Sequence, residues 1–161
     1  MAMDMFMKFD PKLEGESKDK SHGGEIDVLA WSWGMSNSGT THMGSGSGAG
    51  KVSVQDLSFT KWLEKSSPDL LLSCCNGKHY NSATLVVRKA GETPLEYLTI
   101  TMEDVIVTSV STGGSGGEDR LTENVVINFG KVKVAYVEQT DTGGTGAKPQ
   151  MGWDIAGNVK L

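Results

Sequence analysis

The sequence predicts a mainly β domain, an antiparallel barrel or sandwich with one short flanking helix, and three observations support it. Apolar and polar residues alternate with a period of two along most of the chain, as in half-buried strands. Only one segment, Ser67 to Gly77, carries helix start and stop residues. Strands lead into glycine-rich loops instead of helices, so the strand–helix alternation of a parallel sheet is missing. The 161 residues form one domain, residues 1–161. At this length folding buries roughly two thirds of the unfolded surface, without need of metal or disulfide.

The elements follow in order. Met3 to Phe9 reads as a first strand and is followed by a polar loop, Glu14 to Lys20. Glu25 to Asn37 is a long second strand, with Leu29, Trp31, Trp33 and Met35 on one face and Ile26, Val28, Ala30, Ser32 and Gly34 on the other. Ser38 to Gly50 is almost wholly Gly, Ser and Thr, which cannot bury apolar surface, and loops of this length inside a domain are functional or disordered. Lys51 to Thr60 resumes alternation, with Val52, Val54 and Leu57 inward. In the helix, Ser67 caps, Pro68 suits the first position, Asp69 faces the positive dipole end, and Gly77 stops the element. Strands return at Ser82–Arg88 and Leu95–Ser109, then at Leu121–Glu138 with a bend near Gly130, and last at Trp153–Val159. Glycine-rich loops at 112–119 and 140–148 separate them, and 21 glycines are about twice the usual share of ~7%.

Composition excludes several classes. With 15 Lys plus Arg against 20 Asp plus Glu the chain is mildly acidic, and no basic stretch interleaves aromatics, so no nucleic-acid partner is expected. No stretch nears ~20 apolar residues, and Met1–Phe9 lacks the features of a secretory signal, so neither membrane insertion nor general export is expected. Cys74 and Cys75 are adjacent, a spacing that rarely bridges, which suits folding in a reducing cytoplasm.

Motifs of chemistry fail on context. Gly113-Gly-Ser115-Gly-Gly117 matches a nucleophile elbow, but strand–loop–strand replaces the strand–turn–helix it needs. Gly50-Lys51 lacks the Gly five positions earlier, the following Ser or Thr, and the helix of a phosphate loop. His22, His42 and His79 have no metal-motif spacing. Glu118, Asp119 and Arg120, beside Glu123, read as a salt bridge or subunit contact before acid–base machinery. No catalytic residue, metal or cofactor is expected; the enzyme alternative would use Ser115 or His79.

Both faces of the second strand are apolar or small, which one short helix cannot cover. Burial by other copies of the chain is the economical reading, and ring closure would hide sheet edges.

Several blocks resemble the haemolysin-coregulated protein (Hcp) family: Gly15–Lys20, Glu25–Gly34, Val54–Lys61, Gly77–Tyr80, Arg88–Gly91, Gly113–Asn124 and the terminal Gly152-Trp-Asp-Ile. The resemblance runs from Met1 to Val159. It implies a β-barrel with one flanking helix, assembled as a hexameric ring whose stacks form the inner tube of type VI secretion. It further implies a contractile sheath around the tube, a spike trimer at its tip, effector proteins in the lumen, and synthesis in the cytoplasm followed by secretion through this apparatus. The alternative is a phage tail-tube-like or other ring-forming structural protein outside secretion.

On that frame Ser32, Ala30 and Val28 are the candidates for the lumen face. Thr41, His42, Met43, Gly44, Ser45, Gly46 and Gly48 in the long loop are candidates for contact with an adjacent ring or subunit. Gly91 and Glu92 in the 89–94 turn, with Ala156 at the C-terminal strand, are expected on the opposite rim. The chain, read to Leu161, leads to the expectation that no toxin domain is fused.

Overall fold

The alternating segments pair antiparallel, and the pairing returns to the strand it started from. The computed structural model describes residues 3–39, 50–91 and 93–161. Its strands are β1 (Met3–Asp10), β2 (Ile26–Ser32), β3 (Met35–Ser36), β4 (Ser53–Val54), β5 (Leu57–Trp62), β6 (His79–Lys89), β7 (Leu95–Gly113), β8 (Thr122–Asn128), β9 (Lys131–Tyr136), β10 (Gln150–Asp154) and β11 (Val159–Lys160), with helix α1 (Ser67–Asn76) before β6. The order β7-β6-β1-β2-β5-β8 closes through a β7–β8 pairing, so six strands form a barrel without a free edge. Leu57 and Phe59 of β5, Leu85 of β6, Ile100 of β7 and Val125 and Ile127 of β8 fill it, each at most 2% exposed.

Strand β7 belongs to two structures. Its first half pairs with β9 through Glu103↔Lys131, and its second half pairs with β8 from Ile106↔Asn128. Between them Asp104 has φ 56°, and the Gly130 N–H bonds the Glu103 carbonyl at 2.9 Å. A Cβ on Gly130 would meet Asp104 at 3.4 Å, an ordinary contact, so the bend rests on the left-handed Asp104 and does not require glycine at 130. The expected bend near Gly130 is therefore present, and it swings β9, β10 and β11 off the barrel as a flap. The segment expected as one last strand is instead the β10–β11 hairpin, with Ala156 in its turn.

Strand β2 corrects the assignment of faces. Its pairing slips between Val28 and Ala30, where Leu29 is the surplus residue of a β-bulge. Before the bulge Ile26 and Val28 point inward; after it Trp31 packs against the core while Ala30 and Ser32 are exposed. Val28, 5% exposed, is thus a core residue and not a wall residue. The strand also ends at Ser32, and Met35–Ser36 pairs separately with Ser53–Val54 at the base of the long loop.

The helix lies where its signals predict, with one correction. Gly77 is left-handed at φ 66°, and its N–H and that of Lys78 bond the Ser73 carbonyl at 3.0 and 3.3 Å. Ser66, not Ser67, precedes the helix and makes no capping bond. Ser67 Oγ instead accepts the Glu64 N–H and the Lys61 ammonium, both at 3.0 Å. Leu70 is buried beneath the helix, Cys74 packs against the core, and Cys75 is exposed.

Residues 11–25 form a strap. Phe6 and its strand neighbour Val86 point out of the barrel yet are 3% and 7% exposed, and the strap stacks His22 on the Phe6 ring at 4.3 Å.

Candidate functional site

The site is the solvent face of the barrel wall across β2, β5, β8 and the second half of β7. Period-two alternation sends Leu57, Phe59, Val125 and Ile127 inward and their neighbours outward. Register then aligns the outward residues in rows. Ser32 lies beside Ser58, Ser58 beside Val126 and Val126 beside Ser109; below them run Ala30, Thr60, Asn124 and Ser111. Thr60 Oγ1 donates to Asn124 Oδ1 at 2.6 Å, and Asn128 Nδ2 donates to Asp56 at 2.8 Å. Both rows are uncharged. Small hydroxyls and amides hydrogen-bond a passing surface without offering an apolar patch or a fixed charge.

Charge collects where β2 begins and β5 ends. Glu16, Lys18, Asp27, Trp62, Glu64 and Arg120 line a cavity of roughly 390 Å³. Burial pushes the Asp27 carboxyl up, the Ser17 hydrogen bond pulls it down, and the Glu64 charge raises it further. The Arg120 guanidinium lies over the Trp62 ring at 4.2 Å.

The expected salt bridge does not form: among the described residues Glu118, Asp119 and Arg120 enter no ion pair. Glu123 alternates inward on β8, where Lys61 of β5 meets it in a wholly buried pair. The Lys61 ammonium also donates to Ser67 Oγ at 3.0 Å and to the Trp62 carbonyl at 2.9 Å. Ser67 Oγ donates to Glu123 at 2.6 Å, so this pair anchors α1 to the wall.

Of the wall candidates, Ala30 and Ser32 are on the exposed face. Sequence reasoning missed Ser58, Thr60, Asn124 and Ser111; their alternation with Leu57, Phe59 and Val125 carries the signal, but only register unites them. Gly91 and Ala156 are exposed in turns at opposite ends of the β7–β9–β10 sheet, so they do not share the rim expected of them. Thr41, His42, Met43, Gly44, Ser45, Gly46, Gly48 and Glu92 lie outside the described residues. His79 is exposed on β6, and Ser115 sits in the loop after β7.

A closed antiparallel barrel with a flap and one flanking helix defines the fold class. The chain belongs to the Hcp family of type VI secretion tube and effector proteins: residues 6–136 match the family model described as "Type VI secretion system effector, Hcp". It is 60% identical over 162 residues to Protein hcp1 of Pseudomonas aeruginosa, covering 99% of each chain. It is similar to the crystal structure of Hcp1 from Salmonella typhimurium at 42% identity and TM-score 0.83, covering 100% of both chains. A structure described as a type six secretion system protein matches at TM-score 0.93 and 30% identity, over 99% of this chain and 100% of that one.

Proposed function

We propose that the chain is the subunit of a hexameric ring, and that such rings stack into the hollow inner tube of a type VI secretion apparatus. The observation that carries this reading is the uncharged wall of rows led by Ser32 and Ala30. Two adjacent rows four strands wide, without charge or a large apolar patch and with Asp27 and Asp56 outside them, suit the lining of a channel better than a docking surface. Six copies closing around it place Ala30, Ser32, Ser58, Thr60 and Asn124 toward a common lumen, where effector proteins are carried. The role is structural rather than enzymatic. The partners are further copies of the chain, contractile sheath proteins outside the tube and a spike trimer at its tip. The 38–50 segment contacts an adjacent ring or subunit. The chain is made in the cytoplasm and leaves through the apparatus it builds.

Native mass spectrometry and electron microscopy of the purified protein test this directly. Six-subunit annular particles are expected, and a chain that stays monomeric at every concentration overturns the reading. Ser58→Trp should preserve rings while lowering effector retention; unchanged retention removes the wall from the lumen.

A further inference from the structure

The strap over β1 and β6 is held by a histidine placed between two carboxylates. His22 is 8% exposed. Its Nδ1 lies 3.0 Å from Glu25 and its Nε2 lies 2.6 Å from Glu96 of β7, a residue 74 positions away. A carboxylate only accepts, and a neutral imidazole has one N–H to donate. The two contacts are therefore both hydrogen bonds only when the ring is charged.

The surroundings of the ring favour that charge. Phe6 of β1 stacks against one face at an interplanar angle of 13°. Arg88 of β6 sits over Phe6 at 5.1 Å and is bonded to Asp4 of β1 and Asp19 of the strap, so its charge is already answered. Asp19 Oδ2 accepts the His22 backbone N–H at 3.2 Å. The groups facing the imidazole region thus comprise four carboxylates and one guanidinium.

We propose that His22 is a proton-operated clasp: charged, it pins the 11–25 strap to β7; neutral, it must release one of its two carboxylates. Release loosens the cover over Phe6. The same strap reaches the far side of the barrel, where Glu16 accepts the Lys65 N–H at 2.7 Å and, with Lys18, lines the charged cavity beside Arg120. Protonation at the outer face is thereby linked to the shape of that cavity. The clasp does not depend on the ring reading, because its parts all lie in one chain.

The direction of titration agrees. Burial pulls the His22 pKa down, but the bonds to Glu96 and Glu25 and their charges outweigh it, and the net shift is upward from 6.5. A raised folded value gives stabilisation that is complete below pH 6.5 and is lost as pH rises through the folded value.

Amide hydrogen exchange between about pH 5.5 and 8.5, corrected for intrinsic rates, with NMR titration of the imidazole, tests the clasp. His22 should titrate above 6.5. The amides of Gly15, Ser17 and Gly24, which bond within the strap, should lose protection as pH rises, up to about tenfold for each unit the folded pKa stands above the released one. His22→Gln should make strap protection independent of pH. Should that variant fail to fold, Glu96→Gln decides, since the Glu96 side chain is 42% exposed; it should lower the His22 pKa and weaken the pH dependence. Flat protection in the native chain, titration at or below 6.5, or a Glu96→Gln profile matching the native one overturns the proposal.

Discussion

Two charged clusters hold this barrel together, and they sit in opposite solvents. Lys61 and Glu123 are both wholly buried between β5, β8 and α1. Arg88, Asp4 and Asp19 clamp the strap at the surface, with the two carboxylates 46% and 22% exposed. Burial multiplies the cost of a missing partner, because a charge taken from water has no other means of compensation. Arg88 itself is only 11% exposed, but it has two carboxylate partners that water reaches, so losing one leaves the other in place. The contrast teaches that the wall and helix are joined by an all-or-none contact, whereas the strap is held by adjustable ones.

The sharpest test of that contrast removes one buried partner. Glu123→Ala should leave the Lys61 ammonium with only Glu64, 3.7 Å away, as a carboxylate partner and cost up to about 3–5 kcal/mol, read from urea or thermal unfolding. Replacing both together, Lys61→Met with Glu123→Leu, should be neutral or stabilising by about 1–4 kcal/mol; a double variant as unstable as the single one would break the comparison.

The surface cluster should respond to acid instead. The bond from Arg88 lowers the Asp19 carboxyl from 3.8 to about 2, against a burial penalty that is the next largest influence, with the Ser21 N–H, the Arg88 charge and the His22 N–H adding to the lowering. Its stabilisation is present above pH 3.8 and fades as pH falls through about 2. Urea midpoints of the native chain and Asp19→Asn should therefore differ near neutrality and converge toward about pH 2. The smallest effect belongs to Arg120→Ala, which loses an exposed contact with Trp62 worth about 0.5–1 kcal/mol and should leave the fold intact.

Legibility in the sequence followed the range of the interactions. Pro68 and Gly77 mark α1 by local chemistry, and the structure places the helix at Ser67–Asn76, with Pro68 in its first turn and Gly77 just past its end. The alternation of Leu57, Ser58, Phe59 and Thr60 marks β5 equally well. Lys61 continues that alternation inward, against the habit of placing lysine in water, because Glu123 waits 62 residues on. The clasp was illegible for the same reason: nothing near His22 announces Glu96. Period two carried through β2 puts Val28 on one face with Ala30 and Ser32, and the bulge at Leu29 breaks that period and turns Val28 inward. The rows of the wall needed register, which no single strand encodes.

That break at Leu29 carries a consequence for the length of β2. Deleting one residue from a strand ordinarily turns every side chain beyond it to the wrong side. Here the segment holds an odd surplus, and removing Leu29 restores even parity: Ile26, Val28, Trp31 and Trp33 stay inside, and Asp27, Ala30 and Ser32 stay outside. A shortened chain lacking Leu29 should therefore keep both faces of this strand intact.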